Sequence, residues 1–162
     1  MPSVLFICTA NRFRSPLAAA MFQKNLEEAG MGASWLVSSA GTWATPGEPA
    51  IPGAILAARH YKLDLSKHRS RRVDGALLSR ADLILVMQSG HQEALLTEFP
   101  SLKGHIYLLS DVVERRTYDI PDAFSSEREI AEIVSNLYTL LRQGMESICT
   151  LATDLNMSRR RP

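Results

Sequence analysis

The chain has 162 residues, of which 46% are hydrophobic and 22% are charged, and its formal net charge at pH 7 is +1. These values predict one soluble domain with a sizeable core, and they favour neither a nucleic-acid-binding protein nor one with an acidic tail. The longest apolar runs are too short to span a membrane, and we expect no export signal. Two cysteines form no disulfide framework, so a reduced, cytoplasmic protein is expected.

The first third of the chain predicts two strands and two helices. Residues 4–7 are a short apolar run, which indicates a buried strand. Ser15 is a good N-cap and Pro16 suits the first helical turn, so a helix is predicted from there to about residue 29. Residues 35–41 predict a second strand, and a Pro/Gly-rich loop separates it from a helix over 54–61.

The middle of the chain predicts two further strands. Asp74 is expected to cap a short helix, and 81–87 is the strongest strand signal because it is almost continuously apolar. Ser89 and Gln92 have the spacing of a capping box for a helix to about residue 99. A fourth strand is predicted over 105–111.

The C-terminal third predicts a loop and one long helix. Residues 112–125 are polar and are expected to form a loop. Ser126 and Glu129 fit another capping box, which opens an amphipathic helix to about residue 155. The chain then divides into a domain over 1–156 and a basic tail, 157–162, that is expected to fray.

The alternation of strands and helices predicts a single three-layer α/β domain, a parallel sheet with helices on both faces. Ligands of such sheets bind beyond the carboxyl ends of the strands. Cys8 follows the first strand, and the loop over 112–125 leaves the same edge after the fourth. We therefore expect these two segments, distant in sequence, to meet in space.

The loop from Cys8 to Arg14 has the features of an anion site. The first backbone N–H groups of a helix have no intrahelical partners, and the helix dipole favours negative charge there. Arg14 adds a planar fork that can bind two oxygens of a phosphate. The same surroundings favour the thiolate form of Cys8, which is the nucleophilic form. The sequence thus predicts a nucleophile beneath a bound oxyanion.

Simpler interpretations of these residues remain open. Cys8 could be a small buried hydrophobe near a strand end. Arg14 could be a solvated charge, although a cation at the positive end of a helix is unfavourable unless an anion lies between them. The histidines and cysteines lack the spacing of a zinc site, and no nucleotide-binding glycine motif is present, so neither a metal nor a nucleotide cofactor is expected.

The segment "CTANRFRSP" resembles the signature of the low-molecular-weight protein tyrosine phosphatases, in which five residues separate Cys from Arg and Ser-Pro follows. Four later segments resemble that family in the expected order: "SSAGTWATPGEPA", "LDLSKHRSRRV", "ADLILVM" and "YDIPDAF". The resemblance covers most of residues 3–155. It implies a four-stranded parallel sheet in the order 2-1-3-4 and no metal or cofactor.

The resemblance also implies roles for individual residues. Cys8 would be the nucleophile, Arg14 the phosphate clamp and Asp122 the general acid, which later activates water. Ser15 would stabilise the thiolate, and Asn11 would hold the strained loop backbone. The remaining site residues implied by the resemblance fall into three groups: Thr9, Ala10, Arg12 and Phe13 in the phosphate-binding loop, Ser39 and His68 bracing that loop, and Trp43 at the substrate entrance.

Three positions depart from the family pattern. Ala10 stands where glycine is common, which changes the backbone angles that the loop can adopt. Phe13 replaces a frequent second cysteine, so a protective disulfide with Cys8 is not available there, and we predict that over-oxidation is harder to reverse. Ala123 replaces the proline after the acid, which leaves that loop less rigid.

Several assignments keep alternatives. Asp119 and Asp111 are rivals of Asp122 as the acid, and Asp122 itself could be a turn residue. Trp43 could stack on an aromatic substrate or merely cover the core. The other open cases are these: Phe124 at the entrance or in simple packing, His68 as structural or catalytic, His60, His91 and His105 as ordinary surface or strand-end residues, Cys149 as core, and Arg69, Arg71 and Arg72 as a solvated face or an attractor of anionic phosphoproteins.

Three functions follow from these observations. The first is hydrolysis of phosphotyrosine and aryl phosphates through a cysteinyl-phosphate intermediate, and the alternatives are a thiol-linked arsenate reductase and a catalytically silent phosphate-binding module. The implied partner is a phosphotyrosine protein, with a bacterial tyrosine kinase as one candidate, and neither nucleic acid nor membrane is expected. Phosphoarginine and small phosphorylated metabolites remain possible substrates, and the oligomeric state is open.

Overall fold

The computed structural model of the chain describes residues 1–122 and 126–161. Within them lie four strands: β1 (Ser3–Cys8), β2 (Leu36–Gly41), β3 (Leu83–Val86) and β4 (Ile106–Leu108). All neighbouring strands are parallel, and their order across the sheet is β2-β1-β3-β4. This order confirms the predicted α/β fold and places β1 at the centre of the sheet.

Helices cover both faces of the sheet. Seven α-helices lie in the described residues: α1 (Arg14–Glu28), α2 (Pro52–His60), α3 (Gly75–Arg80), α4 (Ser89–Glu98), α5 (Leu109–Glu114), α6 (Glu127–Gln143) and α7 (Met145–Arg160). Two of them, α3 and α4, pack on one face, and apolar residues of α1, α2, α5, α6 and α7 form the core on the other. In the described part of the chain, no helix is both long and apolar enough to cross a membrane.

Strand β1 positions the site because its side chains alternate between the two cores. Phe6 and Cys8 face the core under α1 and α6, whereas Leu5 and Ile7 face the core under α3 and α4. Cys8 is the last residue of β1 and pairs with Gly41 of β2. A side chain at Gly41 would collide with the carbonyl oxygen of Thr9, so only glycine allows the loop after β1 to pass this close.

Two of the four predicted helix caps have their predicted role. Asp74 accepts a hydrogen bond from the Leu77 N–H (2.7 Å), and Ser126 accepts one from the Glu129 N–H (3.1 Å). Ser15 was expected to cap α1, which is wrong: α1 begins one residue earlier, at Arg14, and the Ser15 hydroxyl contacts the site instead.

The capping box predicted from Ser89 and Gln92 is also wrong. Gln88 is the N-cap of α4, and its reciprocal partner is His91, three residues later. The Gln92 side chain donates instead to the Ile106 carbonyl of β4 (3.0 Å), which ties α4 to the edge strand. The shift by one residue directs His91 inward.

The last third of the chain differs most from the elements predicted for it. The fourth strand ends at Leu108, and residues expected to continue it form α5. The long helix predicted from 126 to 155 is two helices that meet at Gly144, which lies so close to Val113 that a side chain there would collide with it. Helix α7 extends to Arg160, where a frayed tail was expected, because Arg159 donates to the Ser79 carbonyl (2.7 Å) and anchors its end.

Candidate active site

Residues 8–14, from the last residue of β1 to the first residue of α1, lie at the carboxyl edge of the sheet and are called the site loop below. Cys8 and Arg14, at its two ends, are 2% and 1% exposed. The Cys8 Sγ lies 2.9 Å from the Ser15 Oγ in the first turn of α1. A hydroxyl at this distance can donate to a thiolate, and the free N–H groups at the start of α1 favour negative charge at the same place.

Asn11 holds the site loop in shape. It has a left-handed backbone (φ 57°) and is fully buried. Its Nδ2 donates to the hydroxyls of Ser15 and Ser39 (2.9 Å each), and its Oδ1 accepts from the Arg71 N–H (2.9 Å). The His68 Nε2 lies 2.7 Å from the Asn11 carbonyl and must donate to it. The structure thus places Ser39 and His68 in contact with Asn11 of the loop.

The surroundings of the His68 ring favour its neutral form. Burial lowers the pKa of His68, the bond to the Asn11 carbonyl raises it, and the charges of Arg69 and Arg71 lower it further. A neutral ring with its proton on Nε2 satisfies the carbonyl. These contacts agree with a structural role for His68.

The Arg14 guanidinium is buried in the site. Its Nη1 donates to the Ile120 carbonyl (2.7 Å), and its Nη2 donates to Asp122 Oδ2 (3.2 Å) and, at 3.5 Å, to Thr9 Oγ1. The buried Nε–H of Arg14 has no partner among the described residues. An unpaired buried guanidinium donor is costly, and an anion in the site loop would satisfy it.

Only one of the three candidate aspartates reaches Arg14. Asp122 forms an ion pair with it at 3.2 Å, and its side chain is 25% exposed. Asp119 accepts from the Ser89 N–H at the start of α4 (2.7 Å), and Asp111 is exposed on α5. The segment before Asp122 is fixed by the Ile120 N–H, which donates to the Met87 carbonyl after β3 (2.8 Å).

His91 was expected to be an ordinary surface or strand-end residue, but it lies against the site loop. The ring is 6% exposed, and its Nε2 lies 2.9 Å from Thr9 Oγ1 in the site loop. Its Nδ1 accepts from the Gln88 N–H (3.2 Å). Burial, and then the charge of Arg14, lower the pKa of His91 to about 4, while Asp119 opposes them. Its place in the first turn after β3, at the ligand-binding edge of the sheet, is a signal that could have found it.

The remaining loop positions are divided between core and surface. Phe13 is buried against the apolar core, Ala10 is exposed, and the Arg12 Nε donates to the Pro49 carbonyl (2.8 Å). The Trp43 side chain is 74% exposed, so it does not cover the core. The backbone N–H of Trp43 donates to the Thr9 carbonyl (2.9 Å). Ala123 and Phe124 lie outside the described residues.

The structure contains no candidate metal centre in its described part, because no three His, Cys, Asp or Glu side chains there are placed to hold an ion. The chemistry available at the site loop is that of a thiol, a buried guanidinium whose Nε–H has no partner among the described residues, and a carboxylate paired with that guanidinium.

Comparisons with known proteins identify the family of the chain. A family model described as low molecular weight phosphotyrosine protein phosphatase matches residues 3–156. The probable low molecular weight protein-tyrosine-phosphatase EpsP of Ralstonia solanacearum is 34% identical over 145 residues, 90% of this chain and 92% of that protein. The protein-arginine-phosphatase of Bacillus subtilis is 31% identical over 141 residues, 86% of this chain and 92% of that protein.

A solved structure gives the same result. The crystal structure of a YwlE mutant from Bacillus subtilis superposes with a TM-score of 0.86 at 30% identity, covering 91% of this chain and 99% of that one. The fold and the matched sequence define a cysteine-dependent phosphatase. The chain belongs to the low molecular weight phosphotyrosine protein phosphatase family, and it is a hydrolase that acts on phosphoproteins.

Proposed function

We propose that the chain hydrolyses phosphotyrosine and aryl phosphate monoesters, with Cys8 as nucleophile, Arg14 as phosphate clamp and Asp122 as general acid. The observation that carries this assignment is the buried Arg14 guanidinium, whose Nε–H has no partner among the described residues although the residue is 1% exposed. Such a donor beside a thiol at a helix N-terminus suits a bound oxyanion.

The first step forms the phosphorus–sulfur bond. The substrate dianion lies in the site loop, where backbone N–H groups and Arg14 bind its non-bridging oxygens. The Cys8 thiolate attacks phosphorus as the bond to the phenolic oxygen breaks, and the electron pair leaves with that oxygen. Asp122, in its protonated form, transfers its proton to the leaving phenolate. The phosphate takes the Arg14 Nη2 donor that Asp122 contacts in this structure.

The second step releases phosphate. The Asp122 carboxylate accepts a proton from water, and the water oxygen attacks phosphorus as the bond to sulfur breaks. The products are inorganic phosphate and the Cys8 thiolate, so the enzyme returns to its starting state. The Ser15 hydroxyl, 2.9 Å from Sγ, supports the sulfur as leaving group by donating to its developing charge.

Phosphoarginine is the second substrate to test, because one relative is named a protein-arginine-phosphatase. The exposed Trp43 ring beside the site loop favours an aromatic leaving group, which can stack on it. We therefore expect a higher kcat/KM for a phosphotyrosine peptide than for the same peptide with phosphoarginine.

The biological setting follows from the same proposal. A bacterial tyrosine kinase is a candidate protein substrate, since such kinases carry phosphotyrosine. The two free thiols, Cys8 and Cys149, suit the reducing cytoplasm.

The test measures hydrolysis of aryl phosphates with good and poor leaving groups by the wild type, Cys8→Ser and Asp122→Asn. We expect Cys8→Ser to lose essentially all activity. Full activity in Cys8→Ser would end the assignment, and so would turnover of arsenate with thiol oxidation in the absence of any phosphatase activity. Binding of phosphopeptide without hydrolysis by the wild type would instead support a silent binding module.

A further inference from the structure

Four arginines lie in the site loop or in the segment that contacts it: Arg12, Arg69, Arg71 and Arg72, together called the arginine rim. We propose that the arginine rim binds acidic residues next to the phosphotyrosine, so that the enzyme prefers phosphotyrosines in acidic segments. This inference rests on the proposed phosphotyrosine activity and concerns the part of the substrate outside the phosphate.

Backbone hydrogen bonds attach the rim to the site loop. The Arg71 N–H donates to Asn11 Oδ1 (2.9 Å), and the Arg71 carbonyl accepts from the Gly41 N–H (2.9 Å). Gly41 is the strand partner of Cys8, and the Gly41 carbonyl in turn accepts from the Val73 N–H (3.0 Å). Two connections on either side of Arg72 therefore fix it close to the candidate nucleophile.

Arg72 is also held by an aromatic ring. Its guanidinium carbon lies 4.7 Å from the centroid of the exposed Trp43 ring, which is a cation–π contact. The backbone N–H of Trp43 donates to the carbonyl of Thr9, the residue after Cys8, so Trp43 and the Arg72 guanidinium stacked on it are held near the site loop. Because the guanidinium is positioned before binding, an incoming carboxylate loses less side-chain freedom when it pairs with Arg72.

The rim charges are unneutralised in the described part of the chain, where none of the four arginines forms an ion pair with a carboxylate. Residues 66–72 carry one lysine and three arginines and no acidic residue. Glu48, half-exposed nearby, is the acidic residue of the loop between β2 and α2. An acidic ligand would relieve repulsion among these cations.

The field of the rim already acts on the site loop. Burial is the largest cause that lowers the pKa of His68, but the charges of Arg69 and Arg71 lower it as well. His68 contacts the Asn11 carbonyl, so these two charges act at the back of the loop.

The experiment compares two phosphotyrosine peptides that differ only in flanking residues, Asp and Glu in one and Asn and Gln in the other. Each exposed ion pair changes binding by about twofold to fivefold, so we expect the acidic peptide to have a kcat/KM about tenfold higher at low ionic strength. The ratio should fall as salt is added, because rim charges act on association.

The variants assign the preference to the rim. Arg69→Gln/Arg72→Gln should bring the ratio close to one, Arg72→Glu should favour the neutral peptide, and Arg72→Lys should keep most of the preference. Arg160→Glu, a matched reversal at the exposed end of α7, should leave the ratio unchanged. Arg71 is not varied, because its Nε donates to the Ser39 carbonyl (2.8 Å) and supports the loop.

Every outcome decides the proposal. A ratio of one in the wild type, or a ratio that Arg72→Glu does not change while thermal unfolding shows an intact fold, overturns the rim assignment. Hydrolysis of a small aryl phosphate is measured in parallel: its absence in the wild type refutes the proposed function, whereas its presence with a ratio of one refutes only the rim.

A separate observation carries a second inference, which concerns His91. Hydrogen bonds link the Gln88 N–H to His91, His91 to Thr9 Oγ1, and Thr9 to Arg14 Nη2. Since His91 Nδ1 accepts from Gln88, its Nε2 carries the proton and donates to Thr9. We infer that His91 is a positioning residue: it orients the Thr9 hydroxyl, which accepts from the Arg14 guanidinium that clamps the phosphate.

The geometry requires a neutral ring. Arg14 and Asp119 are the charged groups that act on His91, and burial beside the Arg14 cation keeps the ring uncharged at neutral pH. A neutral His91 has one donor and one acceptor, and both are used in this chain. Removal of the ring leaves Thr9 free to rotate and the Arg14 Nη2 with one fewer acceptor.

A double-mutant cycle tests this inference. His91→Ala and Thr9→Val should each raise the inhibition constant for inorganic phosphate about fivefold to tenfold, and the double variant should show no further rise because the two residues act in series. His91→Gln, which retains a donor and an acceptor, should restore part of the loss. Additive effects of the two substitutions on the inhibition constant would overturn the inference. A lower midpoint of thermal unfolding with unchanged phosphate inhibition would show that His91 has a merely structural role. His60→Ala, on an exposed side chain, is the matched control.

Discussion

Replacement of Asn11 by alanine should weaken the protein and the site together. Asn11→Ala removes three side-chain hydrogen bonds of 2.9 Å, to Ser15, Ser39 and the Arg71 N–H. It also places alanine at a φ of 57°, which asparagine tolerates better. The free energy of unfolding should fall by about 3–5 kcal/mol. This loss combines the two hydrogen bonds to the serine hydroxyls, the Arg71 N–H left without its acceptor, and the cost of alanine in a left-handed conformation.

Urea unfolding in phosphate-free buffer measures this change, because bound phosphate would stabilise the folded state by itself. Ser39→Ala is the matched control: it removes one Asn11 contact and should cost about 1 kcal/mol. The kcat/KM for an aryl phosphate should also fall in Asn11→Ala, since the loop loses its shape. A loss below that of Ser39→Ala would refute the assignment of Asn11 as the centre of the loop.

Three further predictions follow from the site. Asp122→Asn should slow hydrolysis of poor leaving groups by about 10²–10⁴ and good ones far less, because only a poor leaving group needs the proton, and a leaving-group series measures this. The pKa of His91 is about 4 in the folded protein, against an ordinary value of 6.5. Between pH 4 and pH 6.5 the unfolded state therefore binds more protons than the folded state. The free energy of unfolding should therefore fall as pH drops through that window, with a shallower slope in His91→Gln. Enzyme inactivated by peroxide should not recover its full activity on treatment with thiol, because Phe13 stands where a resolving cysteine would form a disulfide with Cys8. Burial raises the pKa of the Cys149 thiol, which makes Cys149 less reactive as a substitute. Full recovery through a disulfide between Cys8 and Cys149 would contradict this prediction.

The sequence predicted the central part of the fold and the position of the site. The apolar run before Cys8 and the nearly continuous apolar run over 81–87 have a simple cause, since a strand covered on both faces needs apolar side chains throughout. The expectation that Cys8 and the acidic loop meet followed from parallel topology, and the contact between Arg14 and Asp122 agrees with it.

The errors arose where local patterns were ambiguous. The run over 105–111 is apolar enough for a strand, but its second half is helix α5, and short apolar runs do not distinguish the two. The predicted long helix is broken at Gly144, which packs closely against Val113, a contact between distant segments. No window of local sequence contains that information.

The support of the site loop could be predicted only in part. Asn11 bonds to residues 28 and 60 positions away, and His91 reaches Thr9 across 82 positions. Such contacts depend on how β2 and β3 flank β1. The place of His91 after β3 indicates the ligand-binding edge, but its inward direction depends on α4, which begins one residue earlier than its sequence suggests.

The measurement that tests the central claim most directly is mass spectrometry of the enzyme quenched in acid during turnover of an aryl phosphate. We expect one phosphoryl group on the peptide that contains Cys8, formed at the rate at which the phenol is released and lost at the rate of steady-state turnover. A phosphoryl group on another residue, or phenol released with no phosphorylated Cys8 at any time, would contradict the account.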